Sequence, residues 1–366
     1  MTTLPIAGDH PPAPDDRRLA LALACAPTVG PVRFRALLAR HDGRAGRALR
    51  EQAPASSARA ALLDEAEERL RRARVAGLAL TLLGEPDYPA SLYDLPDAPP
   101  ALWYAGDLSH VAAPAAALVG MRAPSAYGLR CARAMAAALA RAGVVVVSGM
   151  ARGIDGAAHE AALDAGAPSI AVLGTGANVA YPTAHRALHA RLVRDGLVLS
   201  EAPPGAVATP GAFPRRNRII AALARVTVVV EAGVKSGALI TAGVAADLGR
   251  TVAAVPGPID VPGAAGGNAL LRDGAQLVAT VDDVLALAGV AARPSTAAAG
   301  RAPAVAPAGL GPDERALWDA LCAPAPGADA LVERTGLPVK RCITALTALE
   351  LAGLVESRWS GEIARR

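Results

Sequence analysis

The sequence predicts an α/β protein: a mostly parallel β-sheet covered by helices on both faces, preceded by a helical segment and followed by a small module. Between positions 115 and 288, short apolar runs of strand length alternate with segments of helical periodicity. This alternation is typical of a parallel sheet whose strands are joined by crossover helices. The runs Val144–Val147 and Val226–Val230 are apolar on both faces, as buried parallel strands require.

Composition narrows the class of protein further. The 366 residues are 52% hydrophobic and 19% charged, which excludes a wholly disordered chain. No stretch approaches the about 18 consecutive apolar residues of a membrane span, so we expect no membrane insertion.

The net charge is only +4, but almost all cations are arginines, the only lysines being Lys235 and Lys340. Because arginine binds phosphate in a bidentate manner, a polyanionic partner stays open.

The four cysteines are scattered and show no metal-ligand spacing. So few thiols in a chain of this length predict a reduced, cytoplasmic protein without a cysteine-held metal.

The N-terminal part is predicted to be helical. Residues 1–16 are rich in Pro and Asp and are expected to be a flexible tail, and residues 17–77 form a helical domain. Its helices are expected over Arg17–Cys25, Val32–Arg40 and Ser57–Val75. The Pro27–Pro31 turn between the first two resembles a helix-hairpin-helix (SAM-like) unit, whose turn can hold a DNA phosphate. The first glycine that is usual in such a hairpin is missing here, so simple helix packing is the favoured interpretation and DNA contact is the alternative.

The central segment, residues 78–292, carries the predicted sheet. Strands are expected over Ala116–Val119, Val144–Val147, Ile170–Leu173, Leu197–Leu199, Val226–Val230 and Val252–Val255. Helices are expected from Tyr127, Asp155, Thr183 and Leu239 onward, and around Asn217–Leu223.

The C-terminal part is predicted to be a linker and a winged helix. Residues 293–312 have the Ala, Pro, Gly and Ser composition of a linker. In residues 313–366, helices are expected over Asp313–Leu321, Asp329–Thr335 and Lys340–Leu351, and a hairpin from Gly353–Ser357 and Trp359–Ile363. Three short helices followed by a β-hairpin are the outline of a winged-helix domain.

Polar and glycine-rich clusters follow the predicted strands at their carboxyl ends, where an open parallel sheet binds its ligands. Glycines there allow backbone amides to approach an anion, and the following helix N-terminus adds a positive dipole. Arg122, Arg152 and Lys235 are expected to converge on this same edge. The sequence therefore predicts a phosphate-binding edge of the sheet.

The densest basic cluster is Phe213–Arg218, which leads directly into an apolar helical run. Arg215, Arg216 and Arg218 near a helix start oppose the helix dipole, so this placement costs stability unless an anion compensates. The compensating anion is either a ligand or protein carboxylates such as Glu201 and Glu231.

A catalytic constellation is not visible. Asp155 and His159 lie four residues apart on one helical face, but two side chains do not make a metal site. We expect Asp155 to be an N-cap with His159 packed beside it. The chain shows neither a nucleophile-elbow pattern nor the clustered carboxylates of a two-metal nuclease. No catalytic residue, metal or cofactor is therefore predicted.

At these motifs the chain closely resembles the DNA-processing protein A family (DprA/Smf). The matching stretches run in order from Val119 to Ala275 and are Val119–Gly128, Ser148–Asp155, Ala158-His159, Ala171–Gly176, Tyr181-Pro182, Ser200-Glu201, Phe213–Ala221, Glu231-Ala232, Ser236–Ala242, Gly249-Arg250, Ala254–Gly257 and Gly267–Ala275. The helical N-terminal part and the winged helix also fit the family layout.

The resemblance implies an extended Rossmann-like core that binds single-stranded DNA without catalysis. It further implies a homodimer that protects incoming strands during natural transformation (competence) and helps to load the RecA recombinase. The positions that match the family's DNA-binding residues are Arg122, Ser125, Gly149, Arg152, Gly153, Arg215, Arg216, Asn217, Arg218, Lys235 and Ser236. Because the core has few aromatic side chains, binding led by phosphate contacts, with little sequence preference, is expected.

The sequence fits two other function classes less well. A nucleotide-cleaving, phosphoribohydrolase-like enzyme would carry a Pro-Gly-Gly-x-Gly-Thr-x-x-Glu pattern, whereas Pro256-Gly257 continues here into Pro258-Ile259. A duplex-DNA-binding regulator would act through the winged helix, but Arg334, Lys340 and Arg341 are few cations for a recognition helix.

Overall fold

The computed structural model describes residues 14–290 and, in the C-terminal part, residues 307, 309–321, 325, 327–357 and 363–365. The chain divides into two compact units, residues 1–291 and 292–366, which are described separately. Residues 1–13 of the predicted tail and most of the predicted linker lie outside the described residues, and the last three residues of the predicted tail instead begin the first helix.

Four helices open the first unit: α1 (Pro14–Cys25), α2 (Pro31–Arg40), α3 (Ala45–Gln52) and α4 (Ser56–Val75). Three of them were predicted, whereas α3 was not, because only Ala45, Ala48 and Leu49 of its eight residues are buried. Leu21 of α1 and Phe34 of α2 belong to the same apolar core as the central strands. The helical segment therefore packs directly against the sheet.

The sheet has nine strands: β1 (Ala79–Leu82), β2 (Ala101–Gly106), β3 (Ala115–Gly120), β4 (Val145–Ser148), β5 (Ser169–Leu173), β6 (Leu197–Ser200), β7 (Val226–Glu231), β8 (Thr251–Ala254) and β9 (Gln276–Leu277). Their spatial order is β1-β2-β6-β5-β4-β3-β7-β8-β9. All neighbours from β6 to β9 in this order pair in parallel, whereas β2 is antiparallel to both β6 and β1. The predicted doubly wound, mostly parallel sheet is confirmed, and β1, β2 and β9 are additions to it.

Helices cover both faces of this sheet: α5 (Ala126–Arg141), α6 (Ile154–Asp164), α7 (Arg186–Asp195), α8 (Ala212–Leu223), α9 (Gly237–Asp247), α10 (Ala265–Arg272) and α11 (Val281–Leu287). Along β3, Ala117 and Val119 belong to one apolar core, whereas Ala116 and Leu118 belong to the other. This alternation is what a strand buried on both faces must show.

The strand order creates a crevice at β3. From β3 the chain builds outward to β6 on one side, then crosses back through α8 to place β7 on the other side. Such a reversal parts the loops that follow the two central strands, and open α/β sheets bind ligands in that gap.

The second unit contains α12 (Pro312–Ala320), α13 (Ala328–Thr335), α14 (Val339–Leu351) and an antiparallel pair, β10 (Val355–Ser357) and β11 (Ile363–Arg365). Leu317, Leu331 and Leu349 form its separate core. This confirms the predicted winged-helix arrangement, although β11 begins at Ile363, where the predicted strand ends, and residues 358–362 lie outside the described residues. Among the described helices of either unit, none is long and apolar enough to cross a bilayer.

Candidate nucleic-acid interface

A groove of about 920 Å³ opens at the carboxyl ends of β3 and β7. We call it the primary groove, and the residues that define it here are Arg122, Phe213, Arg216, Asn217, Lys235 and Ser236. Arg122 follows β3, the Phe213–Asn217 stretch lies in α8, and Lys235 and Ser236 stand between β7 and α9. Five of the eleven residues singled out from the sequence therefore line one groove, although the chain separates the first from the last by more than a hundred residues.

Arg122 is exposed and rests beside an aromatic pair. Its guanidinium carbon lies 5.4 Å from the centre of the Phe213 ring, and the Tyr181 ring lies 5.2 Å from the Phe213 ring. A cation at this distance from a ring face is attracted by the ring quadrupole, which restrains the side chain. The groove thus presents a planar cation whose hydrogen-bond donors remain available to a phosphate.

Arg216 lies at the bottom of the primary groove and is only 7% exposed. It donates to the carbonyl oxygen of Gly149 at 2.7 Å and to that of Val172. Burial lowers the pKa of Arg216 to about 10, and the nearby Asp155 carboxylate acts in the opposite direction. The side chain therefore carries its charge at neutral pH and brings a fixed positive potential to the groove.

Gly149 and Gly153 shape the loop between β4 and α6. A Cβ at Gly149 would lie 2.4 Å from the Arg216 guanidinium, so only glycine leaves room for that side chain. Gly153 has φ +81°, and a Cβ there would lie 2.3 Å from the Met121 carbonyl oxygen. Met150 between them also has a positive φ of 54°. Strained backbone of this kind persists only where the surroundings impose it, and it concentrates at functional sites.

Asp155 holds the same loop from inside, and its predicted role as an N-cap was wrong. The N-cap of α6 is Gly153, and the Asp155 carboxylate instead accepts from the amides of Gly149 at 3.2 Å and Ala151 at 3.4 Å. Burial raises the pKa of Asp155. This carboxylate therefore fixes the loop backbone rather than facing solvent.

Ser125 is held by Glu231 across the sheet. The Ser125 hydroxyl donates to a Glu231 carboxylate oxygen at 2.7 Å, and the Ser125 amide donates to the same oxygen at 3.1 Å. The hydroxyl also accepts from the Gly128 amide and so caps α5. The sequence suggested Glu231 as an arginine partner, and the structure instead shows it joining the loop after β3 to the end of β7.

Arg215 and Arg218 do not line the primary groove. Arg218 is 6% exposed and bonds Asp97 at 2.7 Å and Glu201 at 3.0 Å. Arg215 is more exposed and bonds Glu201 at 2.7 Å. For these two side chains the structure shows the ion-pair alternative, with Glu201 as the shared carboxylate.

The remaining predicted residues lie around the primary groove. Arg152 is exposed on the loop after β4 but does not line the groove. The Ser236 hydroxyl accepts from the Ala238 amide at 3.3 Å and caps α9, and the Asn217 side-chain amide donates to the Gly237 carbonyl at 3.3 Å. Lys235 is exposed and stands directly before this cap.

His159 is part of the core, as expected for a residue packed beside Asp155. Its Nδ1 lies 2.7 Å from the Ser169 hydroxyl, which itself donates to the Val146 carbonyl at 2.7 Å. Because that hydroxyl has only one proton, Nδ1 is the donor, and Nε2 has no partner within the described part of the chain. Burial lowers the pKa of His159 to about 3, so the ring is neutral. Nowhere in the described ranges do three potential metal-binding His, Cys, Asp or Glu side chains cluster.

Comparison with known proteins agrees with this architecture. Residues 79–289 match the family model described as DNA recombination-mediator protein A, and residues 301–359 match the DprA winged helix domain. The DNA processing protein DprA of Streptococcus pneumoniae is 45% identical over 199 residues, which are 54% of this chain and 70% of that protein.

Two solved structures are similar over most of their own length. The X-ray structure of DprA from Streptococcus pneumoniae has a TM-score of 0.63 at 34% identity and covers 74% of this chain and 95% of its own. The structure of DprA from Helicobacter pylori, described by its single-stranded DNA binding mode, has a TM-score of 0.53 at 28% identity. It covers 58% of this chain and 96% of its own. The family model spans more than half of the chain, and this chain therefore belongs to the DNA recombination-mediator protein A (DprA/Smf) family.

Proposed function

We propose that this chain binds single-stranded DNA in the primary groove, with little sequence preference. The observation that carries the proposal is the convergence of Arg122, Arg216 and Lys235 on one groove at the switch point of the sheet. Cations from three separate elements make a positive track for a phosphate backbone, which carries no sequence information. The likeness to the Helicobacter pylori protein, whose structure is described for its single-stranded DNA binding mode, supports the same substrate class.

The wider role that we propose follows from membership of the family. In this role the chain is a cytoplasmic, homodimeric mediator that protects single strands and helps to load RecA in natural transformation and homologous recombination. It acts without catalysis or a cofactor. The bonds of Asp155, His159 and Glu231 support this, because each side chain is engaged in holding backbone or a neighbouring hydroxyl.

Binding of single-stranded and duplex oligonucleotides of the same sequence, without nucleotide or metal, tests the proposal. We expect the single strand to bind more tightly and its affinity to fall steeply with salt, since phosphate contacts release counterions. Equal affinity for the duplex, or binding that does not respond to salt, would contradict the proposed substrate.

Arg122 provides the sharpest single-residue test. We expect Arg122→Lys to weaken binding although the charge is kept, because an ammonium cannot make the planar, bidentate contact. Arg122→Ala should also lower the salt slope by about 0.7, the contribution of one phosphate contact to a single strand. Arg130→Lys is the matched control, since Arg130 is an exposed arginine on α5 that does not line the primary groove. An unchanged affinity for Arg122→Lys would remove this residue from the interface.

Substitution of Arg218, in contrast to that of Arg122, should change the stability of the protein and not its binding of single strands. Arg218→Ala leaves Glu201 and Asp97 without their buried cation, so we expect the free energy of unfolding to fall by about 3 kcal/mol. Chemical denaturation measures this loss. The folded fraction should still bind single strands with the salt slope of the wild type, because Arg218 does not line the primary groove. A reduced slope at full stability would make Arg218 a phosphate contact.

A further inference from the structure

A second groove, of about 630 Å³, adjoins the primary one. Thr209 and Arg216 line both grooves. The segment from Pro203 to Ala212, which leads from β6 to α8, contributes Ala208 and Pro210 to the primary groove and Pro203 and Gly211 to the second. The two grooves are therefore neighbours across one short stretch of chain.

The far wall of the second groove comes from the N-terminal helices. Pro27, Gly30 and Pro31 of the turn between α1 and α2 line it, together with Arg69 of α4. No side chain caps the N-terminus of α2, so the amides of its first turn have no intrahelical partner and no side-chain cap. This is the turn whose resemblance to a helix-hairpin-helix unit left DNA contact open.

The charge of the second groove favours an anion. Its lining contains three arginines, Arg69, Arg215 and Arg216, against a single carboxylate, Glu201. That carboxylate is already paired with Arg215 at 2.7 Å and with Arg218 at 3.0 Å. Among the described residues, Arg69 is paired only within its own helix, with Glu65 at 2.6 Å, and exposed pairs of this kind are weak enough to be exchanged for a phosphate.

We infer that the strand held in the primary groove continues across the Pro203–Ala212 segment into the second groove. There the α1–α2 turn, Arg69 and Arg215 hold its next phosphates. This inference rests on the proposed function and extends it, because it gives the N-terminal helices a direct part in binding. Continuity of the two grooves through Arg216 identifies the occupant as the same single strand rather than an unrelated anion.

Oligonucleotides of two lengths test the contributions of the two grooves separately. Oligothymidylates of about 4 and about 16 nucleotides span the site sizes of single-strand-binding OB folds and serve as the short and the long strand. We expect Arg69→Glu to lower the affinity for the long strand about tenfold and to leave that for the short strand unchanged. Arg72→Glu is the matched control, because Arg72 also pairs with a glutamate four residues earlier on α4 but lines neither groove.

Gly30→Trp tests the same groove by filling it. Gly30 has φ −75°, and a Cβ there meets no atom within 4 Å, so the large side chain enters open space without backbone strain. We expect the same length-dependent loss, with an unchanged unfolding temperature.

The outcomes distinguish this inference from the proposed function. If both variants bound both lengths with wild-type affinity, or lost affinity equally at both lengths, the strand would not enter the second groove. Such a result would leave the proposed binding in the primary groove unaffected. Failure of the wild type to bind either length would overturn the proposed function, and the extension with it.

Discussion

The arginines of α8 show how one residue type takes different roles at neighbouring positions. Arg215 and Arg218 are three residues apart, so they share a face of the helix and both reach Glu201. Arg216 lies on another face and reaches the carbonyls at the ends of β4 and β5. The run of basic residues predicts an anion nearby. The sequence alone, however, does not determine which arginine faces a ligand and which faces a carboxylate.

His159 makes stability depend on pH. Its pKa is about 3 in the folded chain and 6.5 ordinarily. Between these values only the unfolded chain binds the proton, so the free energy of unfolding falls as the pH falls, by up to about 1.4 kcal/mol per pH unit. His159→Asn keeps a donor for Ser169 but does not titrate. We expect denaturation between about pH 4 and 6 to show a slope smaller by about one proton in the variant.

Asp155 contributes to the pH dependence of stability with the opposite sign. Burial raises its pKa, so its contribution to stability is present at low pH and is lost as the pH rises through that pKa. Comparing His159→Asn with the wild type cancels this contribution, since both chains contain Asp155. Identical slopes in the two chains would show that His159 is protonated in the folded state.

At the scale of elements, the loop between β4 and α6 depends on one backbone conformation. Gly153→Ala combines a strained φ with a Cβ 2.3 Å from the Met121 carbonyl, so we expect the free energy of unfolding to fall by about 3 kcal/mol or more. Gly43→Ala separates the two effects, because Gly43 has φ +75° but open space around its Cβ. Only the strain, about 1 kcal/mol, should appear there. Equal losses in chemical denaturation would mean that the close approach to Met121 relaxes freely.

Elements of the central segment with a strong apolar pattern were mostly predicted, although β2, an apolar run that is also largely buried, was missed. β4 and β7 were predicted because each is a continuous apolar run buried on both faces. β9 was missed because it has two residues, both exposed, and thus no burial pattern to detect. For the site, glycines and cations after the strands predicted its position at the carboxyl-terminal edge of the sheet. The pairing of Arg218 with Asp97 could not be predicted, because it joins residues 121 positions apart. No local pattern carries such information.

At the scale of the whole molecule, the division into two units predicts what can be removed. Both apolar cores of the first unit end by Val290, and the two grooves lie within that unit. A chain ending at Ala291 should therefore fold and keep single-strand affinity within about tenfold, or about 1.4 kcal/mol. Fluorescence anisotropy with a labelled oligonucleotide measures the affinity, and thermal unfolding checks the fold.

The surface of α14 gives the reason for this expectation. Its exposed face includes Val339 and Ile343, its Arg341 is paired with Asp313, and Lys340 is one exposed cation beside them. Phosphate recognition normally uses exposed cations rather than aliphatic side chains. If removal of the second unit abolished binding while Arg122→Lys in the full chain did not weaken it, the DNA site would lie in the winged helix.

The bond between Ser125 and Glu231 has a consequence for synthesis of the protein. The two residues are 106 positions apart, and Lys235 and Ser236 follow the second of them. During synthesis, Arg122 on one side of the primary groove is therefore made long before Lys235 and Ser236 on the other side. A nascent chain that ends before β7 has Arg122 but nothing to hold it opposite Lys235. The proposed affinity for single strands therefore requires synthesis of the chain through Ser236, because Lys235 and Ser236 complete the lining of the primary groove.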